Sequence, residues 1–342
     1  MRKISNPSRR QFIQLCGLSL FSASANQYII TGRLSRQNIK PKRLQIGDTV
    51  GLISPASQIN PEDIESVKRF LTQQGLKVKQ GLHIFDRYGY LAGKDDDRAA
   101  DVNAMFADKQ VKAILTTRGG WGVNRILPML DYNLIGKNPK IVMGFSDITS
   151  LLLAIYARTG IITFHGPVII STWNQFSFDY VRQILFQGKA VTLKNPISIP
   201  LQTITKGIAR GRLLGGNLSV ITSTIGSTYL PQWKGAILFV EEIGEDIYRV
   251  DRMLTQLKLA GILQQLAGFI FAQCTKCIPE DDSEPYLTLS QVIAHHIKPL
   301  GIPAWYGAAI GHIKDKFTVP VGLEVEIDAN SGEIKMLEAA VI

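Results

Sequence analysis

From Thr49 onward the chain alternates short apolar runs with stretches of helical periodicity, and this alternation limits the fold more than any other feature of the 342 residues. Strands that alternate with helices in this way join in parallel through crossovers, so the expectation is an α/β architecture of βαβ units. Val50-Gly51-Leu52-Ile53 reads as a first buried strand. Asn60-Pro61-Glu62-Asp63 then offers a cap, a proline for the first turn and two acids for the positive end of the helix dipole. Ile64, Val67, Phe70 and Leu71 recur at helical spacing, and Gly75 stops that helix. A second helix is expected over Asp97 to Ala107, with strands at Ala113 to Thr116 and Ile141 to Met143, each leading into a glycine-containing turn. A helix over Ile148 to Arg158 and a strand over Ile161 to Phe164 complete this half, which spans residues 44–170.

Residues 171–205 lack a clear period and contain Asn195-Pro196 and Ile199-Pro200, so they read as an interdomain linker. The second half, residues 206–342, carries a strand at Ala236 to Val240, a helix at Ile247 to Leu259, a strand at Gly268 to Ala272 and a helix at Leu287 to Ile297. It ends in β structure, Val319 to Ile327 and Glu333 to Leu337, around a turn at Ala329-Asn330-Ser331-Gly332. No internal repeat is present. With 45% hydrophobic and 19% charged residues the chain can bury a sizeable core, which excludes disordered, collagen-like and disulfide-scaffold classes.

The net charge of +10 points to nucleic acid until it is mapped along the chain. Nine of the 38 lysines and arginines precede residue 44 and no acid precedes Asp48, so the remainder holds 29 cations against 28 acids. A nucleic-acid binder carries its basic footprint on the folded domain. This chain carries it on a tail, so no nucleic-acid partner is expected. The tail opens with Ser8-Arg9-Arg10-Gln11-Phe12-Ile13, continues through an apolar run from Leu15 to Phe21, and reaches Ala23-Ser24-Ala25. That order resembles a twin-arginine export signal over residues 1–25, cleaved after Ala25 and followed by a basic linker at 26–43. The location implied is the periplasm, or the cytoplasm if the signal is not used. The apolar run is far short of the ~20 residues of a transmembrane helix, and no later segment reads as an integral membrane span.

Chemistry concentrates in a few places. Gly144-Phe145-Ser146-Asp147 lies where a strand hands over to a helix, and a sharp turn there lifts a serine clear of the sheet and frees the next N–H to face an oxyanion. The last glycine of G-x-S-x-G is missing, and a serine at this position is equally an ordinary N-cap. Thr117-Arg118-Gly119-Gly120-Trp121-Gly122 is a glycine-rich turn that can cradle a phosphate, supply an oxyanion-hole N–H, or simply turn the chain. Neither the dinucleotide nor the Walker spacing is present. Glu241-Glu242-Ile243-Gly244-Glu245 follows a buried strand, and neighbouring strand residues face opposite ways, so only one of Glu241 and Glu242 can enter a shared site. A solvated acidic loop is the plainer reading.

The five histidines, His83, His165, His295, His296 and His312, form no H-x-x-x-H pair. His312, after Gly311, is either a loop residue or a base. In chain order Ser146, Glu241 and His312 run nucleophile, acid, base, the order that α/β-hydrolases use on another scaffold. Cys16 falls inside the signal, leaving Cys274 and Cys277 as a C-x-x-C pair, too few for a four-ligand zinc site or a disulfide framework. Two incidental thiols or one disulfide both fit the pair.

Taken together, these segments resemble the LD-carboxypeptidase family of serine peptidases. The resemblance rests on Gly47-Asp48-Thr49-Val50 with Ser54-Pro55-Ala56, on Arg118-Gly119-Gly120-Trp121-Gly122, and on Gly144-Phe145-Ser146-Asp147-Ile148-Thr149. It continues through Phe164-His165-Gly166-Pro167, Gly215-Gly216-Asn217-Leu218, Glu241 to Glu245 with Tyr248 to Leu254, and Gly311-His312, collinear from about residue 44 to the end. It implies an N-terminal parallel-sheet α/β domain (Rossmann- or flavodoxin-like) and a C-terminal mostly-β domain with flanking helices. The site lies between them, usually in a homodimer. It further implies Ser146 as nucleophile, His312 as general base, Glu241 as the acid orienting it, and backbone N–H groups of Asp147 and Gly120 as oxyanion hole, with no metal or cofactor. The activity implied is release of the terminal D-Ala from murein tetrapeptides by cleavage of an L,D-peptide bond. The alternatives are a same-family peptidase for peptidyl-nucleotide conjugates and a non-catalytic module that binds wall peptides.

Overall fold

The computed structural model describes residues 38–279, 283 and 285–342; the export signal expected over residues 1–25 lies outside the described residues. Fourteen strands occur among them. In the first half these are β1 (Thr49–Ile53), β2 (Lys77–Gln80), β3 (Val111–Thr116), β4 (Ile141–Gly144) and β5 (Thr163–His165). Then come β6 (Thr192–Leu193), β7 (Gln202–Thr205), β8 (Ile208–Asn217), β9 (Ile237–Ile243), β10 (Gly268–Thr275), β11 (Ala304–Tyr306), β12 (Val319–Val321), β13 (Glu324–Asp328) and β14 (Glu333–Met336). The first sheet runs β12-β5-β4-β3-β1-β2, and all of it is parallel except β12, which lies antiparallel on β5. The second runs β6-β14-β13-β8-β9-β10-β11-β7, with a parallel centre from β8 to β11 and antiparallel flanks.

The expected α/β class is what forms, and for the expected reason. β3 and β4 are near-continuous apolar runs because parallel strands are covered on both faces. Helix Thr149–Thr159 is apolar almost all round and buried along nearly its whole length. It packs on β4 and β5 of the first sheet and on β8 of the second, which is why it has no polar face. Leu52 and Phe164 of the first sheet share one apolar core with Phe239 and Ile270 of the second.

Several local expectations are revised. Asn60 occupies the N-cap position of helix Pro61–Gln73 but its side chain caps nothing; Asn60 Oδ1 accepts from Arg87 instead, at 3.2 Å. The stretch 171–205, read as a linker, holds helix Gln175–Val181, capped by Asn174, and strands β6 and β7, which close opposite edges of the second sheet. Its aromatics pack rather than link, Phe178 lying 4.9 Å from Phe70 and Phe176 5.8 Å from Phe317 between ring centroids. Within the tail, Arg43 N–H donates to Ile342 O and Lys40 pairs with Glu338 at 2.8 Å, so these residues belong to the folded body.

The run Val319 to Ile327, read as one β segment, is two strands that serve different sheets. The chain breaks at Gly322, at φ +100°, where a Cβ would stand 2.2 Å from the Tyr156 ring. The ten-residue β8 had no sequence signal, because Arg210, Gly211, Arg212 and the glycines at 215 and 216 interrupt its alternation. Cys274 and Cys277 are joined by a disulfide.

Candidate active site

Ser146 stands at the C-terminal end of β4, on a 3-10 turn that leads into helix Thr149–Thr159. Its φ is +65°, and only Lys276 shares a positive φ among the described non-glycine residues. Backbone held there stores strain of roughly 1–3 kcal/mol, which the surrounding contacts must over-determine. They do so from the glycine-rich loop. A Cβ on Gly119 would stand 2.6 Å from Ser146 Cβ, so only a glycine lets that loop lie directly on the serine. Asp147 anchors the same loop from beneath, its Oδ2 accepting the Val123 N–H at 2.9 Å. Burial raises the Asp147 carboxyl to about 6, against the lowering pull of that N–H and of Arg98.

Arg98 secures the loop from the other side. Its side chain is fully buried, and it donates to Gly122 O at 3.0 Å, to Pro55 O and to Asp95 Oδ1. One guanidinium thereby ties together the loops after β1 and β3, at the C-terminal edge of a parallel sheet where α/β sites form. Spacing gave no signal for the loop-tying role of this arginine, since the two partners in those loops are backbone carbonyls.

β9 brings the acids. Glu241 and Glu242 are both buried and, as expected of strand neighbours, do not share partners. Glu241 Oε2 holds His312 Nδ1 at 2.7 Å, while its Oε1 faces His165 Nε2 at 3.8 Å, beyond hydrogen-bond reach. Burial works to raise the Glu241 carboxyl, but the two imidazoles more than offset it and hold it at about 2. Glu242 turns the other way and accepts from Asn217 Nδ2 at 2.8 Å, Ser219 N at 2.7 Å and its neighbour Ile243 N at 2.9 Å. Burial, reinforced by the charge of Glu241, raises it to about 7. Glu241 is therefore the carboxylate that faces histidine, and Glu242 is a structural acid at the head of helix Leu218–Ser223.

The two halves meet at Phe145. This residue, just before Ser146, packs its ring at 4.8 Å from that of His312 and 5.9 Å from that of His165. The Lys316 ammonium lies 4.6 Å from the same Phe145 centroid. Burial lowers that ammonium to about 8, opposed by the charge of Glu241. The His312 carbonyl is held by the Thr275 hydroxyl at 3.1 Å, and Thr275 lies between the bonded cysteines. Asn217 N–H donates to Thr149 Oγ1 at 2.9 Å, fixing the end of β8 onto the helix that follows the serine. Ser146, Asp147, Gly120, Glu241 and His312, singled out along the chain, thus converge on one region. His165, Asn217 and Lys316 join them as residues whose contacts needed the fold, although His165 and Asn217 already stood in segments that carry the family resemblance.

One group suited to a metal ion occurs among the described residues, namely His83, Asp86 and Asp97. His83 Nδ1 is 2.8 Å from Asp86, and none of Ser146, Glu241 or His312 belongs to this group. The arrangement around Ser146 is instead suited to acyl transfer, with a strained serine on a turn, a half-buried imidazole held by a buried carboxylate, and a glycine loop lying directly on the serine.

A model of the LD-carboxypeptidase N-terminal domain matches residues 50–166, and a model of the LD-carboxypeptidase C-terminal domain matches residues 210–327. A probable murein peptide carboxypeptidase of Bacillus subtilis is 41% identical over 311 residues, covering 89% of this chain and 96% of that protein. Among solved structures, MccF in complex with glutamyl sulfamoyl guanosine superposes with a TM-score of 0.81 at 25% identity, over 89% of this chain and 99% of that one. A muramoyltetrapeptide carboxypeptidase from Oxalobacter formigenes gives 0.74 at 26% identity, over 84% and 97%. On these matches, which embrace both halves of the fold and every segment of the site, the chain belongs to the LD-carboxypeptidase family.

Proposed function

We propose that the protein is a serine LD-carboxypeptidase that hydrolyses the L,D-peptide bond of murein tetrapeptides and releases the terminal D-Ala. One observation carries the catalytic assignment: His312 Nδ1 is held by the buried Glu241 carboxylate at 2.7 Å beside the Phe145-Ser146 turn. With Nδ1 engaged, Nε2 is the nitrogen left to take a proton from the serine hydroxyl. Ser146 Oγ attacks the carbonyl of the L-centre, and the backbone N–H groups of Asp147 and Gly120 receive the developing oxyanion. His312 passes the proton to the departing D-Ala amine, then activates the water that frees the tripeptide from the acyl-enzyme. Glu241 keeps the imidazole in the right tautomer and offsets its charge.

The murein substrate is supported by the names of the Bacillus and Oxalobacter relatives. Export through the Arg9-Arg10 signal would set the enzyme in the periplasm beside that substrate, and the homodimer implied by the family completes the proposal. The test is release of D-Ala from L-Ala-γ-D-Glu-diaminopimelate-D-Ala by purified protein and by Ser146→Ala. Wild type is expected to release it, and the variant to lose nearly all turnover while keeping its far-UV spectrum. Near-wild-type turnover in the variant sinks the nucleophile. Labelling by a serine-directed fluorophosphonate without D-Ala release would move the substrate to another acyl compound, such as a peptidyl-nucleotide. Absence of both would favour a binding module.

A further inference from the structure

The loop after β1 lies against the glycine-rich loop after β3, as Ser57 N–H to Gly119 O at 3.4 Å and Thr117 Oγ1 to Ser54 Oγ at 2.9 Å record. Between them three buried polar atoms have no partner, Ser57 Oγ, Gln58 Oε1 and Arg118 Nε. Ser57 is almost wholly buried, and its hydroxyl fills the space beside Gly120, 2.1 Å from where a Cβ would stand. Arg118 makes one long bond among the described residues, NH1 to Gln58 O at 3.4 Å, so most of its five donors are unused. Buried polar groups are normally satisfied, and three orphans side by side mark a place where something else completes the set.

We propose that Arg118 and the Ser57 hydroxyl form the subsite for the free C-terminal carboxylate of the substrate. The inference rests on the carboxypeptidase reading above and adds the group that would restrict cleavage to a terminal residue. The donor set has the right polarity, because a guanidinium fork matches a carboxylate in two parallel bonds and a hydroxyl adds a third. Its position is also right. The terminal carboxylate carbon is joined to the scissile carbonyl through only the amide N and one Cα, so standard bond lengths keep the two carbons within about 4 Å. The recognising cation must then border the nucleophile. Arg118 precedes Gly119, which abuts Ser146. The two buried cations of the region are already engaged, Lys316 over Phe145 and opposite Glu241, and Arg98 on Pro55 O, Gly122 O and Asp95. Gln58 Oε1, an acceptor, has the polarity to take a substrate N–H.

The experiment compares tripeptide formation from the tetrapeptide free acid and from its C-terminal amide, in wild type, Arg118→Met, Arg118→Lys and Ser57→Ala, with fluorophosphonate labelling as a check on Ser146. Wild type is expected to prefer the acid by about 100-fold in kcat/KM, as for hydrogen bonds to a charged group. Arg118→Met should bring the ratio near unity chiefly through KM, Arg118→Lys should restore part of it, and Ser57→Ala should lower it several-fold. A wild-type ratio near unity, or an Arg118→Met enzyme that labels normally and slows equally on both substrates, overturns the subsite. Failure of the underlying reading looks different: wild type labels at Ser146 yet forms no tripeptide from either substrate, which overturns both together.

Discussion

Glu241 and Glu242 are adjacent in one strand and titrate in opposite directions. Two imidazoles stabilise the charge of Glu241, whereas Glu242 is buried beside that charge with amide donors alone. The consequence is a sign that can be measured. A carboxyl whose folded value is raised to about 7 binds its proton more tightly in the native state, so its contribution to stability is complete below about 4.5 and lost as pH rises through 7. The displacement corresponds to about 3 kcal/mol for this group. Urea unfolding at pH 5 and pH 8 should therefore show a smaller loss of stability on going alkaline in Glu242→Gln than in wild type, by up to about that amount. Asp147 is raised too, but it is common to both proteins and drops out of the difference. Parallel pH profiles would mean that Glu242 ionises without cost.

The nucleophile turn and the glycine loop work as one unit at the next scale. The turn after β4 holds Ser146 at positive φ, and the loop after β3 closes over it with no room for a side chain at Gly119. Since β3 and β4 are paired neighbours, a displacement of one loop is passed to the other. In Gly119→Ala the added methyl would have to push either the loop or the serine outward. A misplacement of about 1 Å at reacting atoms costs on the order of 10²-fold, so kcat for D-Ala release should fall by at least that factor while the far-UV spectrum is kept. Retention of near-wild-type kcat would show that the loop can retreat without disturbing Ser146. The C-terminal side has its own clasp, where Thr275, inside the Cys274–Cys277 ring, holds the His312 carbonyl.

At the scale of the molecule, the two sheets are interleaved along the chain. β12 comes from the C-terminal half yet completes the edge of the first sheet, and β13 follows it at once in the second. Helix Thr149–Thr159 is covered by both sheets. Elements that share a core and exchange strands should lose structure together. Single-tryptophan variants test this, one keeping Trp305 in β11 and one keeping Trp173, which packs on Phe70. Their urea transitions are expected to coincide with each other and with far-UV circular dichroism. Midpoints separated beyond error would make the two sheets independent folding units.

The α/β class followed from the sequence alone because buried parallel strands and the helices between them write their periods into local residues, as at Val50–Ile53 and Ile64–Leu71. Ser146, Glu241 and His312 could be singled out as candidates, since each stands at the end of an apolar strand or after a glycine, but the roles expected of them came from the family resemblance and not from those local patterns. Other features are invisible to any local pattern. β8, β6 and β7 are defined by the strands they pair with rather than by alternation. The division of labour between Glu241 and Glu242 depends on which face of β9 meets His312. Arg98, His165 and the Arg118–Ser57 pocket draw their meaning from backbone and side chains far off in the chain. Desolvation and partner geometry assign those roles, and both exist only once the two sheets have closed on each other.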